Sequence, residues 1–169
     1  MSGPAQLERA ARQGRFLLQQ YDRLLGGLDE RHVGLEPFPG AKTAGWLLGH
    51  LAITGDYGRR LCGLAPLLPK EWRPLFAPGS QPARETAGYP SMAELVHGFR
   101  AVYLDLADKA AATAPETLAV PTVIELAKQA FPTAGEFVVY LLTGHLGYHL
   151  GQLSLWREAA MPGDPALRA

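Results

Sequence analysis

Four stretches of this sequence carry apolar residues at alternating spacings of three and four, the period of one face of an α-helix. In the first stretch the seam consists of Leu7, Ala10, Gly14, Leu17, Tyr21, Leu24 and Leu28. No stretch shows the every-second-residue alternation that is typical of a half-buried strand. Four long helices with two long connections predict an all-α chain, for which a four-helix bundle is the leading architecture.

Capping signals give approximate bounds for these helices. The predicted helices cover about residues 4–25, 44–62, 92–113 and 134–160. Thr43 can cap the second helix through its hydroxyl. Ser91 and Thr133 each precede a glutamate by three residues, which is the capping-box pattern that opens the third and fourth helices.

The segments between the helices are predicted to be irregular. Arg31–Lys42 is expected to be a loop, and the proline-rich stretch Ala65–Pro90 a long connection with a short helical turn near Trp72. The second long connection ends at Pro132 and includes an expected short helix over Val123–Ala130.

Bulk properties narrow the class of protein. A chain of 169 residues is most simply one domain, 1–169, with its own core. Its 16 basic and 16 acidic residues show no basic run, which argues against a nucleic-acid partner. The single cysteine, Cys62, and the lack of an apolar leader in the first 15 residues favour a cytoplasmic protein.

One uncharged run, Phe137–Trp156, is long enough to cross a bilayer. It contains two histidines, a glutamine and three glycines, which are costly to place in lipid. We therefore interpret it as the buried helix of a soluble protein, with no membrane partner. The glycines in it, Gly144, Gly147 and Gly151, destabilise a helix, so we expect another backbone or a ligand to approach that side closely.

Three histidines on apolar helix faces are the candidate functional residues. His145 and His149 are four residues apart, so their side chains lie on the same face of the fourth helix. His50 lies in the apolar stripe of the second helix. Bundle metal sites are built from such inward side chains on facing helices. The spacing leaves two interpretations open: a metal site, or three buried histidines that are hydrogen-bonded in a core.

The motifs around these histidines resemble those of the DinB/YfiT-like superfamily of bacterial proteins. The resemblance rests on the run Thr43–Leu51, which ends in Gly-His50-Leu, and on His145-x-x-x-His149-x-x-Gln152 about ninety residues later. It covers the chain in helix order and loop placement. It implies a four-helix bundle in which one divalent metal ion is held by His50, His145 and His149. Zinc, nickel and iron all accept imidazole ligands, so the ligand type does not choose among them.

The resemblance also implies an activity, because some relatives conjugate a low-molecular-weight thiol such as bacillithiol to electrophiles, and others use mycothiol to isomerise maleylpyruvate. We therefore expect a metal-dependent enzyme that transfers a thiol cosubstrate to a small-molecule electrophile. No catalytic base is evident. Two alternatives remain: a non-catalytic bundle that binds a metal or a small molecule, and an interaction protein that works as a homodimer.

Three further residues are candidates for the pocket. Trp46 lies one turn before His50 and is expected to form a wall. Tyr57, on the same side as His50, is either core or a pocket phenol. Gln152, one turn beyond His149, is either structural or a hydrogen-bond partner for a ligand or for a water close to the metal.

Overall fold

The computed structural model is all-helical across the residues it describes, which are 3–83 and 86–164, without the side chain of Leu126. The α-helices are α1 (Pro4–Leu25), α2 (Glu30–Val33), α3 (Ala44–Leu61), α4 (Trp72–Phe76), α5 (Met92–Lys109), α6 (Pro115–Leu118), α7 (Ala134–Tyr140) and α8 (Leu146–Ala160). In this described part no strand forms, and extended pairing is limited to one bridge between Pro121 and Thr133. The predicted domain, 1–169, also includes residues 1–2, 84–85 and 165–169, which lie outside the described residues.

The long helices begin where the capping signals predict. The Thr43 hydroxyl accepts a hydrogen bond from the Trp46 backbone N–H at 3.2 Å, which satisfies one of the free donors at the start of α3. Both predicted capping boxes form. Ser91 and Glu94 close the first turn of α5, and Thr133 with Glu136 does the same for α7.

Residues 134–160 form one helical segment in which α7 and α8 are joined by a π-helical turn, Leu141–His145. A π turn fits more residues into a turn than an α turn does, so it changes the direction in which the following side chains point. The uncharged run falls within this segment, and its residues Leu142, Leu146 and Leu153 are buried in the core. No helix in the described ranges has both the length and the apolar character needed to span a bilayer.

The structure corrects the predicted loop Arg31–Lys42, because α2 occupies its first residues. Asp29 caps this short helix: its carboxylate accepts a hydrogen bond from the Arg31 N–H, while its own N–H donates to Nδ1 of His32. Histidine in place of the usual glutamate or glutamine hides this capping box in the sequence. The helix expected over Val123–Ala130 is also shorter, a single 3₁₀ turn at Glu125–Ala127.

Helix packing surrounds a core of apolar side chains. Helix α3 packs against α5 and α8, and α1 packs against the same two helices. The approach of α3 to α5 is close, because a methyl group on Gly55 would lie 2.8 Å from side-chain atoms of Val102 and Tyr103. A partly buried ion pair between Arg59 of α3 and Asp105 of α5, at 2.6 Å, joins the same two helices.

The sequence led us to expect that another backbone or a ligand approaches the three glycines of the fourth helix closely. For another backbone, this expectation is wrong. Apart from the adjacent residues and the backbone of the same helix, no atom of the described chain lies within 4 Å of a methyl group built on Gly147 or Gly151, and at Gly144 the neighbour is Tyr140 of the same helical segment. Close packing against glycine occurs on α3 instead, where the ring of Phe76 lies against Gly49. The low helix propensity of glycine therefore did not reveal which helix another part of the chain approaches closely.

Candidate metal centre

Two helical segments, α3 and the segment 134–160, bring His50, His145 and His149 together. One nitrogen of each imidazole can be chosen so that all three lie within 4.8 Å of one another. The ring centroids are 5.4 Å apart for His50 and His145, 4.9 Å for His50 and His149, and 4.5 Å for His145 and His149. All three residues are buried, with 6–8% of their surface exposed.

The two helices position these rings in different ways. His50 lies near the start of α3, where Gly49 leaves room for Phe76 to pack beside it. His145 is the last residue of the π turn, and His149 follows one turn later in α8. Phe137, Leu141 and His145 are spaced by four residues along this segment, so they share a face and line the same cavity.

Backbone and side-chain oxygens orient two of the rings through Nδ1. Nδ1 of His50 lies 2.8 Å from the carbonyl oxygen of Phe76, and Nδ1 of His149 lies 2.7 Å from Oε1 of Gln152. Since both oxygens can only accept, Nδ1 carries the hydrogen in each case and Nε2 keeps its lone pair. Metal-binding histidines show this pattern, in which the nitrogen remote from the metal donates to an oxygen.

The third ring has a weaker partner. Nδ1 of His145 lies 3.4 Å from the hydroxyl of Tyr103, which is itself 3.5 Å from the Thr54 hydroxyl. Within the described ranges, none of the three Nε2 atoms has a hydrogen bond to protein. The Nδ1 atoms are therefore the ones that the protein engages, and the Nε2 atoms are the ones left to bind a ligand.

Burial keeps the imidazoles neutral. Loss of solvation is the main reason why the pKa of all three histidines is lowered; together with the charge of neighbouring triad histidines, it brings the pKa to about 3 for His145 and to about 4 for His149. A neutral imidazole with a free Nε2 lone pair is the form that binds a metal ion. The donor set of three such imidazoles fits one divalent transition-metal ion, so this cluster could hold a metal.

A cavity of about 570 Å³ adjoins the triad and reaches His50 and His145. Its walls are mostly apolar, and its polar lining residues include Thr54, Tyr57, Arg60 and Arg73. This volume is typical of pockets that take small organic molecules. The site therefore combines three potential metal ligands with room for a ligand beside them.

The three predicted pocket residues have different positions. Tyr57 lines the cavity. Trp46 stacks on the His50 ring, with centroids 4.8 Å apart, and its indole N–H donates to the Ser80 hydroxyl. Gln152 accepts the hydrogen bond from His149 and lines a separate, smaller cavity of about 300 Å³.

The other histidines and the cysteine lie outside the cluster. His32 belongs to the cap of α2, and His97 is exposed on α5. Cys62 is buried at the end of α3. The role of the Phe76 carbonyl could not be predicted from the sequence, because any residue type supplies a backbone oxygen. From the sequence, Tyr103 was recognisable only as a residue on the apolar face of its helix.

A comparison with protein families found one match for this chain. The model of the DinB superfamily matches residues 13–153, a range that includes all three histidines, Trp46, Tyr57 and Gln152. No curated protein matches the chain.

Proposed function

The chain belongs to the DinB superfamily, and from that premise we propose that it is a single-domain four-helix bundle that holds one divalent metal ion for chemistry on a small molecule. The packing of α1 and α3 against α5 and α8 supports the bundle. The metal ligands in this proposal are Nε2 of His50, His145 and His149.

One observation carries the metal assignment. The three imidazoles converge, while Nδ1 of His50 and of His149 is occupied by an oxygen acceptor. A core of hydrogen-bonded histidines would use both ring nitrogens inside the protein, and here the described chain supplies partners only on one side of each ring. The buried and neutral state of the rings favours the same assignment.

The reaction that we propose is transfer of a low-molecular-weight thiol to an electrophile. His50, His145 and His149 would hold the ion, which would lower the pKa of a thiol bound to it. In the transfer the thiolate sulfur forms a bond to the electrophilic carbon, the leaving group departs with the electron pair of the broken bond, and the thiol proton passes to solvent.

The residues that line the cavity would bind the electrophile. Apolar side chains such as Phe137 and Leu141 would take the body of the electrophile and exclude water from it. The hydroxyls of Thr54 and Tyr57 line the same space and can donate hydrogen bonds to a polar group of the substrate. Among the described residues no carboxylate stands out as a general base, because Asp56, which lines the cavity, forms an ion pair with Arg59.

A conjugation assay tests this proposal. Chlorodinitrobenzene releases chloride when a thiol replaces it, and the product absorbs light, so the rate can be followed for bacillithiol, mycothiol and glutathione in turn. We expect at least one thiol to react faster with wild-type protein than without it, and His149→Ala to lose that acceleration. His97→Ala is the matched control, because it removes an exposed histidine outside the triad. No acceleration with any thiol and a range of electrophiles would contradict the transferase assignment.

Binding without catalysis is the second candidate. It is favoured by the absence of an evident general base and by the largely apolar lining of the cavity. Under this alternative the protein would bind metal and small molecules but accelerate no conjugation. Metal content and ligand binding in a protein that fails the conjugation assay would then identify a binding protein.

A further inference from the structure

Two arginines at the large cavity have no ion-pair partner in the described part of the chain. Arg60, next to the end of α3, and Arg73, in α4, both line the cavity, and both are exposed. The ion pairs formed by the described residues leave these two guanidinium groups out. Each is therefore available to bind an anion at the cavity.

The acidic residue of the same cavity does not neutralise them. Oδ1 of Asp56 accepts hydrogen bonds from Nη1 of Arg59 at 3.2 Å and from the Leu67 N–H at 2.8 Å. Asp56 and Arg59 are both 4% exposed, so this pair is closed off within the protein. The charge that faces a ligand in the cavity is therefore positive.

The remaining lining is suited to an apolar group. Apolar residues from four parts of the chain form the walls: Ile53, Leu68, Ile124, Phe137 and Leu141. Tyr57 also lines the cavity, and its hydroxyl can hydrogen-bond a polar group of a ligand. Burial raises the pKa of its phenol, and the charge of Arg60 partly offsets that increase.

We propose that the small molecule accepted by this cavity is a carboxylic acid with an apolar body, whose carboxylate binds Arg60 and Arg73. The apolar body lies against Leu68, Phe137 and Leu141, and the end remote from the carboxylate faces His50 and His145. This inference rests on the proposed function only in taking the cavity beside the triad as the substrate site.

Arginine suits this task because its planar guanidinium can bind both oxygens of a carboxylate. Placing the anion at the exposed side of the cavity avoids burying a charge, while the apolar body supplies affinity. The arrangement also orients the molecule, because only one end can face the histidines when the other is held by the arginines.

A displacement experiment with matched ligands tests the proposal. Anilinonaphthalene sulfonate (ANS), an apolar fluorophore with one anionic group, serves as the probe for wild-type protein as purified. Phenylbutanoate and phenylbutanol, which differ in the carboxylate, are then compared as competitors. We expect phenylbutanoate to displace ANS at a concentration at least about tenfold lower than phenylbutanol, and inorganic phosphate, which lacks an apolar body, to displace none.

The variants identify the residues responsible. In the double variant Arg60→Gln and Arg73→Gln, we expect the affinity for phenylbutanoate to fall by about tenfold or more, while the affinity for phenylbutanol changes less than about twofold. Since both residues are exposed, these substitutions should leave folding intact. Arg12→Gln, an exposed arginine of α1 outside the cavity, is the control and should behave as wild type.

Any of three results would overturn the inference. They are equal affinity for the acid and the alcohol, displacement of ANS by inorganic phosphate on its own, and the same loss of phenylbutanoate affinity in Arg12→Gln. Metal content is measured on the same samples, so the two proposals can fail separately. Carboxylate selectivity in a protein that takes up no metal would leave this inference standing and remove the metal-dependent function. Bound metal without carboxylate selectivity would overturn this inference and leave the metal-dependent function standing.

Discussion

The orientation of His149 depends on a single neighbouring side chain. Oε1 of Gln152 accepts the hydrogen bond from its Nδ1, and Nε2 of the same amide donates to the Tyr148 hydroxyl at 3.2 Å. Without that partner, the His149 ring could turn or adopt the other tautomer. Gln152 would therefore act on a bound metal ion indirectly, by positioning the His149 ring.

We predict that Gln152→Ala weakens metal binding without abolishing it. Loss of the acceptor for a metal-binding histidine typically lowers affinity by about 10–100-fold. Competition with a chromophoric chelator measures this affinity, and Gln13→Ala, an exposed glutamine on α1, is the control. Unchanged affinity in Gln152→Ala would show that the glutamine does not position the ligand.

Cys62 is expected to be an unreactive core residue. The thiol is 7% exposed, and burial raises its pKa. Each unit of increase lowers the thiolate fraction about tenfold in mildly alkaline buffer, so alkylation by iodoacetamide at about pH 8 should be at least tenfold slower in the folded protein than in urea. The rate should rise as the pH approaches the raised pKa. Equal rates in the folded and unfolded protein would contradict the burial of this thiol.

At the scale of elements, α4 connects the wall of the cavity to His50, one of the three proposed metal ligands. Arg73 and Ala77 of this region line the cavity, the Phe76 carbonyl holds His50, and the Phe76 ring packs on Gly49 of α3. Movement of α4 would therefore change both the cavity and the orientation of one imidazole. The contact with Gly49 is what fixes its position.

We predict that Gly49→Ala destabilises the protein. A methyl group there would lie 2.4 Å from atoms of the Phe76 ring, so α4 must shift, and overpacking of this kind costs about 1–3 kcal/mol of unfolding free energy. Gly151→Ala is the matched control, since nothing lies within 4 Å of its added methyl group. That substitution should stabilise the helix by about 0.5–1 kcal/mol. Urea unfolding in the presence of a chelator measures both changes, and a Gly49→Ala variant as stable as wild type would disprove the contact.

The sequence predicted the elements whose signals are local. The capping residues Thr43, Ser91 and Thr133 and the three-four apolar period were sufficient to predict the long helices and the all-helical fold. The π turn at Leu141–His145 was not predictable, because the apolar pattern continues through it. The cavity could not be predicted either, since it is formed by the packing of the 64–78 and 121–133 connections onto the helices.

The residues of the candidate site likewise include some that the sequence predicted and some that it did not. His145 and His149 could be paired from their spacing, and His50 was found from its place on an apolar stripe. The Phe76 carbonyl, the Tyr103 hydroxyl and the arginines of the cavity depend on contacts between residues far apart in the chain. No periodicity or motif carries such contacts, so they become visible only in the folded molecule.

For the molecule as a whole, a metal bound by these histidines would link α3 to the helical segment 134–160. A ligand that binds only the folded state stabilises it, by about 2.7 kcal/mol at a free concentration one hundred times the dissociation constant. We therefore predict that chelation lowers the melting temperature of the wild-type protein and that adding the metal back restores it. His149→Ala should melt at the same temperature with and without chelator. An unchanged melting temperature of wild-type protein after its metal has been removed would contradict this coupling.

The most direct test of the metal centre is the metal content of untagged protein purified without added metal, measured by plasma mass spectrometry. Wild-type protein and His97→Ala should each contain about one divalent ion per chain, and His149→Ala should contain much less. If wild-type protein contains no metal and takes up none on titration with zinc, nickel or iron, the three histidines are a feature of the core and the metal-dependent function is wrong.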